Sequence, residues 1–215
     1  NYRVVADGCI DIVFNCTNYD ETYIMGYCNS FVKIGIDKEF NYFGIRFLPG
    51  IFPSLFNIDA SELSNHYERL NTVQPCIYNV IQQSKDRCLC LQDLCDELNI
   101  YFIKHINKID KPFDNRFFCA LETILKSKGS IIIEKDLNDG ISSRHLQRLF
   151  NFYIGDTAKF FCRIVRFQNL LKIDPSVKLI KSEKSYYDFG YYDQTHFIKE
   201  FKLFYGKTPS KIAAE

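Results

Sequence analysis

The stretch "GYYDQTHFIKEFKLFYGKTP", residues 190–209, places regularly spaced aromatic rings and a polar surface between two glycines. Three phenylalanines recur at the spacing of one helix face, which predicts that they are buried: Phe197, Phe201 and Phe204. The side chains between them are mostly polar or charged and are predicted to point away from that face. One such stretch predicts an amphipathic helix and does not say what its polar side contacts.

A second stretch, "GISSRHLQRLFNFYIGDT" at residues 140–157, repeats this layout. Phe150 and Phe201 lie 51 residues apart, and Gly155 and Gly206 are separated by the same distance. A glycine, a short polar turn and an amphipathic helix form the layout of a helix-turn-helix, and glycine accepts the positive φ that such a turn needs. The duplication therefore predicts two helix-turn-helix units.

The polar faces of the two predicted helices carry side chains suited to nucleic-acid recognition. The upstream helix presents Arg144, Gln147, Arg148 and Asn151 on the side away from its apolar face. Arginine can pair with guanine and glutamine with adenine in the major groove. Gln194 lies in the first turn of the downstream helix, the part of a recognition helix that meets base edges. A merely solvated face is the alternative for either helix alone, and the repeated pattern favours DNA.

Charge is distributed unevenly along the 215 residues. Residues 130–215 contain 14 Lys and Arg against 10 Asp and Glu, a balance of +4. Residues 1–129 contain 13 against 16, a balance of −3. A basic C-terminal part is compatible with a polyanionic partner.

Residues 116–213 resemble the DNA-binding domain of AraC-type bacterial transcription regulators. The resemblance rests on "GISSRHLQRLF" with "YIGDTAKFFCRIVRFQNLL", and on "DFGYYDQTHFIKEFKLFYGKTPSKI". It implies an all-α domain of two helix-turn-helix units joined by a long helix, here about Thr157 to Leu171. The two recognition helices would enter successive major-groove segments on one face of the duplex. The segments "IIIEKDLND" and "KSEKSYYDFG" depart from the family pattern before each turn and leave the helix boundaries there open.

The family pattern also implies which residues contact DNA. Base contacts fall to one set in each unit: Arg144, Gln147 and Arg148 in the first, and Gln194, Thr195, His196 and Lys199 in the second. Hydroxyls near helix starts are predicted to contact phosphates: Ser142, Ser143 and Thr157. For His196 a structural role beside a neighbouring turn stays open as the alternative.

The N-terminal half is predicted to begin with strands and to continue with helices. "ADGCIDIVFN" and "FGIRFLPG" are similar to the N-terminal domain of a subset of the same regulators, where a partial cupin-like β-barrel precedes the DNA-binding half. From "ASELSNHYERL" at residues 60–70 onward the pattern becomes helical, with apolar stripes that indicate internal packing or a dimer interface. The polar segment 108–115 places the boundary between a sensing or dimerisation domain, 1–110, and a DNA-binding domain, 111–215. The fold class predicted is therefore α+β.

Cysteine usage indicates a cytoplasmic protein. Nine cysteines are scattered through apolar stretches, which favours reduced thiols over a disulfide framework. Cys88, Cys90 and Cys95 could hold a metal with a histidine, but no histidine lies near them in sequence, so buried helix cysteines are favoured. The chain begins at Asn1 with no signal-like segment, which suggests an N-terminally trimmed rather than a secreted chain, and no apolar window is long enough for a membrane span.

Together these observations predict a sequence-specific transcription regulator with no catalytic residues, metal or cofactor. Its partners would be a double-stranded DNA operator and RNA polymerase, which it recruits or blocks, with a homodimer and a small-molecule effector as further candidates. A rival is a small-molecule-binding or enzymatic cupin-like protein with an accessory helical domain. Residues 1–110 contain only His66 and His105, which disfavours the metal set of a cupin enzyme. A third alternative, an adaptor that has lost DNA reading, is disfavoured by the basic face of the upstream helix.

Overall fold

A computed structural model describes residues 2–35, 41–85, 87, 90–109, 113–137, 140–173 and 185–212. The strands described are β1 (Tyr2–Val4), β2 (Ile10–Asn15), β3 (Thr22–Met25), β4 (Val32–Ile34), β5 (Tyr42–Phe47) and β6 (Tyr67–Arg69). The helices of the N-terminal half are α1 (Ile51–Phe56), α2 (Leu70–Val73), α3 (Pro75–Ser84) and α4 (Leu91–Ile106). The C-terminal half contains α5 (Asn115–Lys126), α6 (Ile133–Asp136), α7 (Ser143–Ile154), α8 (Ala158–Ile173), α9 (Gln194–Tyr205) and a last short helix, Pro209–Ile212. The predicted α+β class is confirmed.

The described strands form two antiparallel sheets. β1 pairs with β4, and the larger sheet has the order β5–β2–β3–β6. Burial alternates along β2, because successive strand side chains point to opposite faces: Ile10, Ile12 and Phe14 are buried, and the residues between them are half-buried. The buried face packs in one core with residues of α3 and α4 such as Ile77 and Leu98. Among the described residues the two sheets do not close into a ring, so the cupin-like barrel stays a prediction.

The continuous helical reading of residues 60–70 is wrong. A 3-10 helix covers Ala60–Leu63, and β6 follows and pairs with β3. Asn65 adopts a left-handed φ of 64°, which an α-helix cannot continue through. Tertiary packing holds this bend in place, because Gly26, which directly follows β3, packs closely against Leu63. A Cβ added at Gly26 would lie 1.8 Å from the Leu63 carbonyl oxygen.

The C-terminal half follows the predicted order of helices where it is described. The helix expected at about Thr157 to Leu171 is α8, and the helices expected after Gly140 and Gly190 are α7 and α9. The segment "KSEKSYYDFG", which the family pattern places before the second turn, begins at residue 181, and residues 174–184 lie outside the described residues. The segment 108–115 contains residues 110–112, which also lie outside them, so the domain boundary stays a prediction.

The N-terminal half contacts the C-terminal ends of both α7 and α9. Ser64 Oγ donates a hydrogen bond to the Gly155 carbonyl at 3.1 Å, and the Phe31 N–H donates to the Leu203 carbonyl at 3.1 Å. Two N-terminal side chains, Ala6 and Tyr27, belong to the core formed by the C-terminal helices. The N-terminal half therefore holds the ends of these helices while their polar faces stay exposed.

Candidate nucleic-acid interface

The first candidate recognition helix, α7, has a defined start and end. The Ser142 hydroxyl accepts a hydrogen bond from the His145 N–H at 3.3 Å, which satisfies one donor of the first turn. Gly155 ends the helix with a φ of 95°, a left-handed conformation that suits glycine. The apolar face is buried through Leu146, Leu149, Phe150 and Ile154.

The opposite side of α7 is open to solvent. The exposed residues are Ser143, Arg144, Gln147, Arg148 and Asn151. Arg148 Nη2 donates to His145 Nδ1 at 2.9 Å, which lays the guanidinium along the helix surface. Because this contact is itself exposed, a base edge or a phosphate can compete for the same arginine. The first predicted base-contacting set thus shares one solvent-facing surface.

The second candidate recognition helix, α9, is built in the same way. The Asp193 carboxylate accepts from the His196 N–H at 2.7 Å, and Gly206 ends the helix with a φ of 86°. The three phenylalanines predicted to be buried are buried: Phe197, Phe201 and Phe204. The rings of Phe201 and Phe204 pack against Phe167 of α8, so the long helix supports the second helix on its buried side.

The predicted DNA-contacting residues of α9 differ in exposure. Gln194, Thr195 and Lys199 are exposed, whereas His196 is half-buried. His196 Nε2 lies 3.2 Å from Glu200 Oε1, and His196 Nδ1 accepts from the Tyr192 N–H at 3.4 Å. The structure therefore engages both ring nitrogens of this histidine within the protein.

Glu200, whose carboxylate pairs with His196, was not among the residues predicted from the sequence. Glu200 is only 3% exposed, and its carboxylate oxygen Oε1 also accepts from the guanidinium Nε of Arg163 on α8. The 51-residue spacing of the repeat could have identified Glu200 as a buried residue, because it aligns Glu200 with the buried Leu149. A charged residue at a position that is apolar in the other copy predicts a buried, paired carboxylate.

The three hydroxyl residues lie at helix starts, as predicted for phosphate contacts. Thr157 is exposed just before α8, and its hydroxyl oxygen accepts from the Phe160 N–H at 3.2 Å. Ser142 caps α7 in the same manner, and Ser143 follows it in an exposed position. A capping hydroxyl still has an O–H to donate, so capping and a phosphate contact are compatible.

The described cysteines are free thiols. Burial raises the pKa of Cys9 to about 12 and that of Cys162 to about 11, which keeps both thiols protonated and unreactive. Within the described ranges no group of three metal-ligating side chains occurs. Of the three cysteines predicted to be buried in a helix, Cys88 lies outside the described residues and Cys95 is half-buried in α4. The prediction is wrong for Cys90, which is exposed and caps the start of α4.

A cleft of about 630 Å³ lies between the two sheets of the N-terminal half. Its lining is mainly aliphatic and aromatic, with side chains that include Val13, Tyr23, Met25 and Val32. Arg46 borders it and donates two hydrogen bonds to Asp11, at 2.9 and 2.7 Å. This cleft has the size and mixed lining of a small-molecule pocket.

Comparison with known protein families locates two domains. Residues 139–215 match a helix-turn-helix domain of AraC type, and residues 1–69 match a domain of unknown function, DUF6597. Together the matches are consistent with an AraC-type regulator and support a DNA-binding transcription regulator, a class that is typically non-enzymatic. No curated protein and no solved structure matches the chain. No helix in the described part of the chain is long and apolar enough to cross a membrane.

Proposed function

We propose that this chain, whose C-terminal region is an AraC-type helix-turn-helix domain, reads a specific operator with α7 and α9 in successive major-groove segments. One observation carries the proposal: α7 and α9, with α8 between them in the chain, each begin at a capping side chain, end at a left-handed glycine, bury one face and expose long donor side chains. Two reading helices separated in the chain by one long helix fit a DNA site of two adjacent parts.

The mechanism proposed has no chemical step. Ser142, Ser143 and Thr157 position the protein on phosphates, and the exposed faces of α7 and α9 read base edges. Arg144, Gln147 and Arg148 serve the first part of the operator. Gln194, Thr195 and Lys199 serve the second part, where His196 is the remaining predicted contact. Bound in this way, the protein recruits or blocks RNA polymerase in the cytoplasm.

The proposed division places sensing in residues 1–110 and DNA binding in 111–215. The open two-sheet arrangement of the N-terminal half supports this assignment, and the cleft between the sheets is the proposed effector site. Its lining favours an effector with a sizeable apolar body, and four charged side chains are available for polar contacts: Asp11, Glu21, Lys33 and Arg46.

The proposed homodimer uses helix α4. Ile100 and Ile103 are 53% and 59% exposed, which is unusual for isoleucine on a packed helix. Ile100 has Asp96 one turn before it and Lys104 one turn after it, and both are exposed. An antiparallel pair of α4 helices centred on Ile100 would therefore place each Asp96 opposite the Lys104 of a second copy.

Charge exchange tests this dimer. Lys104→Glu and Asp96→Lys should each weaken dimerisation, because like charges would then face each other. The double variant restores opposite charges and should restore the dimer, as measured by sedimentation equilibrium. A wild-type chain that stays monomeric at high micromolar concentration would contradict the interface.

Selection of genomic DNA fragments by the purified full-length chain tests the proposed function. The expected result is a recurrent sequence with two parts separated by about one helical turn, protected on one face of the duplex in hydroxyl-radical footprints. Repeating the selection with cell extract detects an effector as a change in the enriched fragments. Recovery of no common sequence, together with binding of small molecules in the N-terminal cleft, would instead favour the small-molecule-binding alternative.

A further inference from the structure

The second recognition helix contains a buried carboxylate that DNA reading does not use directly. Glu200 lies one turn after His196 on α9, next to Phe201, and is 3% exposed. A buried carboxylate is costly unless it is paired and hydrogen-bonded. The side chains that pair with the Glu200 carboxylate therefore indicate its structural role.

Glu200 links α9 to the long helix α8. Its Oε1 accepts hydrogen bonds from Arg163 Nε and from His196 Nε2, the latter at 3.2 Å. The Arg163 guanidinium lies over the Phe160 ring, 4.6 Å from its centroid. Arg163 is thus oriented by an aromatic face on one side and a carboxylate on the other, and it holds Glu200 in a single direction.

The same contacts indicate the tautomer of the His196 ring. Because Nδ1 accepts from the Tyr192 N–H, the proton of the neutral ring lies on Nε2, which donates it to Glu200. Tyr192 belongs to the turn before α9, so the ring ties this turn to the second turn of the helix. Neither ring nitrogen is then left to meet a base edge.

We propose that Glu200 is a positioning residue for DNA reading. Held by Arg163, it locks His196 and sets the orientation in which α9 presents its exposed side chains: Gln194, Thr195 and Lys199. His196 acts through Glu200 and reads no base. The inference rests on the proposed function, since it specifies how the second half of the operator is read.

Half-site discrimination tests this role with the full-length chain and its selected operator. Affinity is compared between the intact site and sites in which one half is scrambled. The half read by α9 is identified with the Arg148→Ala variant, which changes a side chain of α7. Scrambling the half read by α9 should lower the affinity of this variant by the same factor as it lowers the affinity of wild type. Glu200→Gln should reduce discrimination at that half by about tenfold, comparable to one wrong base pair. Discrimination at the other half should not change.

A double variant separates locking from reading. If His196 acts through Glu200, adding His196→Gln to Glu200→Gln should cause no further loss. A further loss equal to that of His196→Gln alone would assign His196 a base contact and overturn the proposal. Equal losses at both halves would also overturn it, because they would indicate a general effect on folding.

A spectroscopic measurement on the wild-type chain does not depend on any variant folding. Nitrogen-15 NMR of the imidazole groups should show His196 protonated at Nε2 and unprotonated at Nδ1, both in the free protein and in the operator complex. A change of tautomer on binding DNA would overturn the proposal. A wild-type chain that discriminates neither half would overturn the proposed function, whereas the tautomer of the free protein would still decide whether the lock exists.

Discussion

The recognition helices α7 and α9 carry a histidine at the same position, His145 and His196, but differ one turn later, where α7 has Leu149 and α9 has Glu200. In α7 the leucine packs into the core, and the histidine Nδ1 accepts from the surface guanidinium of Arg148. In α9 the carboxylate is buried and holds the histidine through Nε2. One interior residue thus decides whether the histidine pairs with the reading surface or with the interior.

This difference shows that a duplicated pattern does not produce two equivalent surfaces. Both helices begin at a side-chain cap and end at a left-handed glycine, and Phe150 and Phe201 are buried at the same position, because these features satisfy requirements of the backbone and the core. The outward side chains are constrained only through their neighbours. We therefore expect α7 to read DNA with arginines that are held only at the surface, as Arg148 is by His145, and α9 to read it from a more rigid surface.

The largest expected effect is on the free energy of unfolding and comes from the buried phenylalanine that α7 and α9 have at the same position. Phe201→Ala and its counterpart Phe150→Ala each remove a fully buried ring and should lower the free energy of unfolding by about 3–5 kcal/mol. Urea unfolding followed by circular dichroism measures both. Lys202→Ala, at an exposed position of α9, is the matched control and should have little effect. A native-like unfolding curve for Phe201→Ala would contradict its place in the core.

An intermediate effect concerns the reading surfaces. Arg148→Ala should weaken specific operator binding by about 1–3 kcal/mol, as expected for the loss of one bidentate base contact. Its counterpart in α9 is Lys199, a point charge, so Lys199→Ala should weaken binding to specific and nonspecific DNA alike. Gel-shift titrations at two salt concentrations distinguish the two outcomes.

Arg87→Ala provides a control for loss of an exposed arginine in the N-terminal half, outside α7 and α9. Operator affinity should be unchanged in this variant. If Arg148→Ala also left operator affinity unchanged, the assignment of a base contact to Arg148 would be wrong.

The smallest expected effect concerns the helix starts. Ser142→Ala and Asp193→Ala each remove an N-terminal cap and should cost about 1 kcal/mol of stability. The loss should be greater for Asp193, because its hydrogen bond is shorter and its charge also interacts favourably with the helix dipole. Equal losses in urea unfolding would show that the two starts are equivalent after all.

Much of the fold followed from spacing along the chain. The predicted α7, α8 and α9 occur in the structure, and so do the buried faces of α7 and α9, because helix periodicity, capping residues and terminal glycines are local signals. The helix predicted over 60–70 failed for the converse reason. Its polar and apolar residues fit a helix locally, but pairing of β6 with β3 and packing against Gly26 are contacts distant in sequence.

The candidate site also has one part that followed from the sequence and another that depends on contacts between residues distant in the chain. The amino-acid sequence by itself determined that two amphipathic helices with basic and amide-bearing faces occur at a fixed spacing, since each requires only residues within one or two turns. Tertiary structure decided that Glu200 pairs with Arg163, 37 residues away, and that His196 faces this pair. A buried charge is stable only beside its partner, and only the packed arrangement of α8 against α9 brings that partner within hydrogen-bond distance.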